Sequence, residues 1–130
     1  MIDVPKFVRS FQFAGRGIID LFRFENNARF HLLAAILVVG AGAWLGLSVM
    51  EWVMVTTQIG LVMAAEGFNT ALEKLADRVT TERDPLIRVA KDLSSGAVLI
   101  VGIMALIVGL LIFVPKVIPM YSDWMPDTGR

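Results

Sequence analysis

Two stretches, residues 32–50 and 93–114, contain no charged residue, and they limit what this chain can fold into more than any other feature. At about 1.5 Å of rise per residue, about 19 and 22 helical residues come close to or reach the ~30 Å of a bilayer's hydrocarbon core. No water is available there to satisfy peptide groups, so each run has to be helical. Composition agrees: 56% of residues are apolar, 18% are charged and mean hydropathy is +0.69, which is outside the range of ordinary soluble domains. The length of 130 residues predicts one domain, residues 1–130. A formal net charge of zero gives no reason to expect nucleic acid as a partner. Cysteine is absent, which excludes disulfides, zinc–thiolate sites and thiol catalysis. His31 is the single histidine, so a His-rich metal site is also excluded.

Ahead of the first run, Phe7, Phe11, Ala14, Ile18, Leu21 and Phe22 recur at spacings of three and four, with Lys6, Arg9, Arg16, Asp20 and Arg23 on other faces. This pattern predicts an amphipathic helix over residues 1–31 lying in the membrane interface, with Asp3 as its cap and Pro5 in its first turn. No cleavable leader is expected, because the first long apolar run begins only near Leu32. The first span is expected at 32–50, with Gly42 and Gly46 as a small-residue pair for close packing; their spacing does not make a phosphate loop. Glu51 and Trp52 are read as a tight turn at the far interface. A second membrane helix is expected over 52–79, projecting into water at its end, then a loop over residues 80–85 with Asp84 or Thr81 as the next cap. The third span is expected at 93–114, with Gly102, Ala105 and Gly109 at packing spacing and Pro115 ending it. Residues 115–130 form a tail in which Tyr121 and Trp124 are read as interface anchors. The fold class is therefore all-α integral membrane: a surface helix and three transmembrane helices.

Charge sets the orientation. Lys6, Arg9, Arg16, Arg23, Arg29, Lys74, Arg78, Arg83, Arg88 and Lys91 all lie before the first span or between the second and third, and the far side keeps Lys116 and Arg130. The positive-inside rule puts the N-terminus and the polar stretch from Glu66 to Asp92 in the cytoplasm.

That stretch carries the chemistry. At about 100° per residue, Glu73 and Asp77 each fall within about 20° of Glu66 on a helix, flanked by Asn69 and Thr70. Ionisable side chains at the edge of a bilayer are costly, and they usually serve a function. Glu66, nearer the lipid, could take a proton from a hydroxyl at the membrane surface. Glu73 lies about 10 Å further along the axis, where it could help hold Mg²⁺, with Glu25 as a second carboxylate. Asn69 could position a phosphate or a ligand water, and Lys91 could meet a phosphate with Asp92 beside it. The bland reading is a solvated, salt-bridged face made by Glu73 and Asp77 with Lys74 and Arg78. On the same reading His31 is a headgroup-level hydrogen-bonding residue.

The string Glu66-Gly-Phe-Asn69-Thr-Ala-Leu-Glu73, then Asp77, then Ala90-Lys91-Asp92 resembles the signature of the prokaryotic diacylglycerol kinase family, which includes undecaprenol kinases. Gly17, Glu25 and Arg29 fit the same pattern, and the likeness covers about residues 6 to 114. The resemblance implies a small integral-membrane kinase, working as a homotrimer in the bacterial inner membrane, that moves the γ-phosphate of Mg-ATP to a lipid alcohol. It implies Glu66 as general base and Glu25 and Glu73 as Mg²⁺ carboxylates. Nucleotide contacts are implied at Lys91 and Asp92, with Glu82, Arg83 and Asp84 alongside and Asn69 and Asp77 at the same site. Arg29 and Ser95 are implied near the lipid.

Lys6, grouped with the nucleotide contacts, stands where the diacylglycerol-specific branch tends to have arginine. His31 stands where that branch has an acid. The run Arg29-Phe30-His31-Leu32 resembles the undecaprenol kinase branch more closely. Two other classes compete with a kinase: a non-enzymatic three-span subunit, and a proton- or cation-handling protein using Glu66.

Overall fold

The computed structural model describes residues 3–80 and 82–124, with side chains through residue 119. Four helices account for nearly all of it: α1 (Val4–Phe24), α2 (Asn26–Leu45), α3 (Val49–Val79) and α4 (Pro85–Trp124). Helix α3 is the centre, packing most extensively on α4 and next on α2, while α1 touches α2 and α3 more sparsely. Two helical segments, Asn26–Leu45 and Pro85–Pro119, are long and apolar enough to cross a membrane.

Asp3 caps α1 as expected, its carboxylate accepting from the Lys6 amide at 3.0 Å. The helix does not run to residue 31. Glu25 is extended (φ −108°, ψ 120°) and serves both as the last cap of α1 and the first of α2. Arg29 holds this corner. Its Nε donates to the Phe22 carbonyl at 2.8 Å and its terminal nitrogen donates to the Arg23 carbonyl, satisfying acceptors that a helix end leaves open. A side chain expected near lipid is thus occupied in capping α1.

The inner face of α2 runs through Ala28, His31, Ala34, Ala35, Val38 and Gly42, a three-and-four spacing that points one stripe at α3. The far turn comes earlier than expected, at Gly46–Ser48 and not at Glu51–Trp52. Gly46 closes α2 in the left-handed conformation (φ 65°, ψ 57°), which glycine adopts without steric cost. Ser48 then opens α3 in a reciprocal capping box with Glu51. Gly42 and Gly46 therefore do different work: only Gly42 is a packing glycine, with Trp52 and Leu47 pressed against it.

Pro115 does not end α4, which continues through Pro115 and Pro119 to Trp124. Proline costs a helix one ladder bond, but its φ suits a helix. The flanking residues hold this segment in place: Ile112 is buried with Leu47 and Val55, Phe113 packs beside them, and Lys116 pairs with Glu51 at 3.2 Å. At the other end Asp84 caps α4, accepting from the amides of Leu86 and Ile87. Thr81, the side chains of Tyr121 and Trp124, and Pro126 and Arg130 lie outside the described residues.

Large apolar side chains face outward along α2 and α4, among them Trp44 at 73% exposure and Leu111 at 72%. A soluble monomer rarely presents so much contiguous apolar surface. Lipid, or another copy of the chain, is the medium that such faces suit.

Candidate active site

The polar line on α3 is where the helices meet. Glu66, Asn69 and Thr70 are the buried polar residues among the described ones, and Glu66 is only 4% exposed. A carboxylate taken this far from water needs partners. The nearest is His31 of α2, whose Nε2 lies 3.5 Å from Glu66 Oε1. A shift of about half an ångström would make that contact an ordinary hydrogen bond.

One turn further along α3, the Asn69 amide nitrogen donates to Glu73 Oε1 at 3.3 Å, and the Ser95 hydroxyl of α4 donates to Asn69 Oδ1 at 3.4 Å. Asn69 therefore ties α3 to α4 and fixes one carboxylate oxygen of Glu73. Glu25, at the α1–α2 break, is held by Lys74 Nζ at 2.8 Å, a contact across 49 residues of sequence. Asp77 continues the α3 line but is 69% exposed on its side chain and pairs with Lys91 Nζ at 2.9 Å. Asp92 is held by Arg88 at 3.4 Å.

The structure thus joins Asn69, Glu73 and Ser95 by hydrogen bonds across α3 and α4, pairs Glu66 with His31 of α2, and brings Glu25, Asp77 and Lys91 to the same end of the bundle. Lys6, Glu82, Arg83 and Asp84 have no hydrogen bond or ion pair to this network among the described residues. Lys6 sits in the first turn of α1, and the other three lie in the α3–α4 loop, where Asp84 is occupied as a cap. Two contributors escape a reading of the sequence: His31 and Lys74. His31 had a signal, since it shares the α2 stripe with Ala28, Ala35 and Gly42. Lys74 had none, because its partner lies in a different helix and far away in the chain.

A small pocket opens beside Glu66, bordered by Asn27, Phe30, His31 and Ser95. His31, Phe30, Gly102 and Leu106 also border a larger, mostly apolar cavity of about 490 Å³ between α2 and α4, floored by Val55, Gln58 and Val62 of α3. A polar headgroup at Glu66 and a hydrocarbon chain in the neighbouring cavity would each meet surroundings of their own kind.

Among the described residues, no three acids or histidines stand close enough to cage a metal ion by themselves. A Mg²⁺ ion typically takes one or two carboxylates and completes its shell with phosphate oxygens and water. Glu73 and Glu25 supply hard oxygen at one end of the bundle, so the donor set fits.

Residues 12–113 match the family model for prokaryotic diacylglycerol kinase. The chain is 40% identical to the undecaprenol kinase of Bacillus subtilis (strain 168) over 114 residues, covering 88% of this chain and 93% of that one. It is 33% identical to a diacylglycerol kinase of Synechocystis sp. over 115 residues, 88% of this chain and 66% of the relative. The diacylglycerol kinase of Escherichia coli (strain K12) is 37% identical over 84 residues, 63% of this chain and 69% of the relative. The chain belongs to the prokaryotic diacylglycerol kinase family, and it is a kinase with an alcohol acceptor.

Proposed function

We propose that residues 1–130 form one catalytic unit that transfers the γ-phosphate of Mg-ATP to the hydroxyl of a membrane lipid alcohol, with undecaprenol favoured over diacylglycerol. The observation that carries this reading is a nearly buried carboxylate, Glu66, beside a pocket whose other lining is largely hydrocarbon, with Glu73 fixed about two turns away. Preference for undecaprenol rests on the Bacillus subtilis relative and on His31, which replaces an acid.

In this reading Glu66 takes the proton of the lipid hydroxyl as the oxygen approaches phosphorus. Glu73 and Glu25 would hold Mg²⁺, which would neutralise charge on the phosphates. Lys91 turns from Asp77 to the nucleotide, and Asp77, Asp92, Lys6, Glu82, Arg83 and Asp84 line its approach. Ser95 borders the lipid side of the pocket beside Glu66, while Arg29 acts on it indirectly by holding the α1–α2 corner. Phosphoryl transfer asks little covalent work of a protein, so positioning and charge account for most of the rate. Helix α3 would be the third span, the helix ends carrying Glu25, Glu73 and Lys91 would face the cytoplasm, and three copies would assemble in a bacterial inner membrane, covering part of the outward apolar faces.

The test is a radiolabelled-ATP assay of purified protein given diacylglycerol and undecaprenol side by side. Mg²⁺-dependent labelling of a lipid is expected, stronger with undecaprenol. Glu66→Gln should abolish turnover and keep nucleotide binding, while Glu73→Ala should weaken Mg-ATP binding. Full turnover in Glu66→Gln would remove the base; ion flux in liposomes without ATP would favour a cation-handling protein.

A further inference from the structure

We propose that His31 is a positioning residue for Glu66 and the acceptor that carries the reaction's proton away from it, an inference that rests on the kinase reading above. The geometry is specific. Glu66 is almost closed off, its side chain 5% exposed, whereas the His31 side chain is 26% exposed and its Nε2 lies 3.5 Å from Glu66 Oε1. His31 also stands at the junction of the pocket beside Glu66 and the apolar cavity between α2 and α4. It therefore borders both the pocket that Glu66 lines and the apolar cavity beside it.

A buried base that accepts a proton has to lose it before the next cycle. The other charged groups that bear on Glu66 are Glu73 on α3 and Glu25 at the α1–α2 break, both acidic. From α4 the pocket receives the Ser95 hydroxyl, and α1 approaches here through the Leu21 side chain against Gly67. Imidazole is the one neighbour able to take a proton as a neutral base and release it to water. The balance is as follows. The lipid O–H bond breaks toward a Glu66 oxygen while the lipid O–P bond forms and the bond from phosphorus to ADP breaks. The proton then moves from Glu66 to His31 Nε2, with Nδ1 already protonated, and the imidazolium passes it to solvent. Between turnovers the same contact aims Glu66 at the pocket. Its neighbour Phe30 meets the imidazole edge-on, with ring centres 6.0 Å apart, which limits the ring's freedom to turn away.

His31→Ala and His31→Gln, assayed in micelles with Mg-ATP and undecaprenol, test this directly. The expected result is a kcat loss of about 10- to 100-fold, at the low end of what placed proton transfer contributes, with KM for ATP within about twofold. Added imidazole should recover several-fold of the loss in His31→Ala, which a packing defect would not allow. Wild-type kcat in His31→Gln, or no response of His31→Ala to imidazole, would overturn the proposal. As the chain's single histidine, His31 also has a readout independent of turnover: its ring ¹⁵N resonances should move in Glu66→Gln, and unchanged resonances would remove the pairing. A wild type that phosphorylates no lipid removes the kinase reading and the relay with it. An active wild type whose His31 variants lose nothing removes the relay alone.

Discussion

Replacing Asn69 by leucine separates the stability of this bundle from its chemistry. The amide makes two contacts: its nitrogen donates to Glu73 Oε1 at 3.3 Å, and its oxygen accepts from the Ser95 hydroxyl at 3.4 Å. A hydrogen bond to a charged group is worth about 1.5–3 kcal/mol and a neutral one about 0.5–1.5 kcal/mol. Both distances exceed the usual ~2.9 Å, so the lower ends apply, and the pair together comes to about 2 kcal/mol. Little of that should appear as lost stability. Leucine has the same branched heavy-atom skeleton, interhelical hydrogen bonds in membranes average only about 0.6 kcal/mol, and Glu73 can turn toward water. The loss should fall on the aim of Glu73. If the full 2 kcal/mol is withdrawn from binding Mg-ATP in its reacting geometry, kcat/KM for Mg-ATP drops by about 30-fold. The assay is initial-rate phosphorylation in mixed micelles at saturating lipid, beside a thermal melt of the same preparation. A variant that melts within a few degrees of wild type yet loses about 30-fold fits. One that keeps kcat/KM within about threefold refutes the idea that Asn69 holds Glu73 in place.

Other consequences are more local. A side chain at Gly42 begins with a Cβ 3.1 Å from Trp52 Cη2 and 3.2 Å from Leu47 Cδ2, so Gly42→Leu should cost about 1–3 kcal/mol of overpacking; an unchanged melting temperature would deny the close α2–α3 approach. At the far turn, the Ser48 backbone N–H donating to Glu51 holds that carboxyl below its usual range, aided by the Ser48 hydroxyl and Lys116. A carboxyl lowered on folding stabilises above its ordinary range and stops doing so as pH falls through its folded value. Protection of the amides around Ser48–Trp52, corrected for the intrinsic exchange rate, should therefore fall as pH drops below the ordinary carboxylate range, and Glu51→Gln should remove that dependence. Because the chain lacks cysteine, Val49→Cys and Arg83→Cys can each be labelled alone in membrane vesicles; labelling of both from the same side would contradict α3 as a span.

The fold was legible in part for reasons that can be named. Asp3 and Pro5 announced the start of α1, the proline-free stretch to Val79 announced an unbroken α3, and Asp84 announced α4. The far turn was written as Ser48-x-x-Glu51, a capping box, but the tryptophan beside it drew attention to the wrong residues. The break at Glu25 had no such marker, since neither glycine nor proline is there and the corner is held by Arg29 reaching back to carbonyls in the preceding helix. Pro115 was read by its local rule, and the rule yielded to packing of Ile112 and to the Lys116–Glu51 pair.

What the sequence determined alone was the solvent and the placement of chemistry along the chain. Uncharged runs of this length need helix and an apolar surrounding, and a helical repeat puts Glu66 and Glu73 on one face. Periodicity has no access to a partner in another helix. The tertiary structure decided that Glu66 would be closed in while Asp77, on the same line, stays 69% exposed. It also decided that Lys74 would leave its own helix for Glu25, and that a histidine on α2 would face the buried acid. Those choices depend on distances between segments far apart in sequence, and they exist only once the helices have packed.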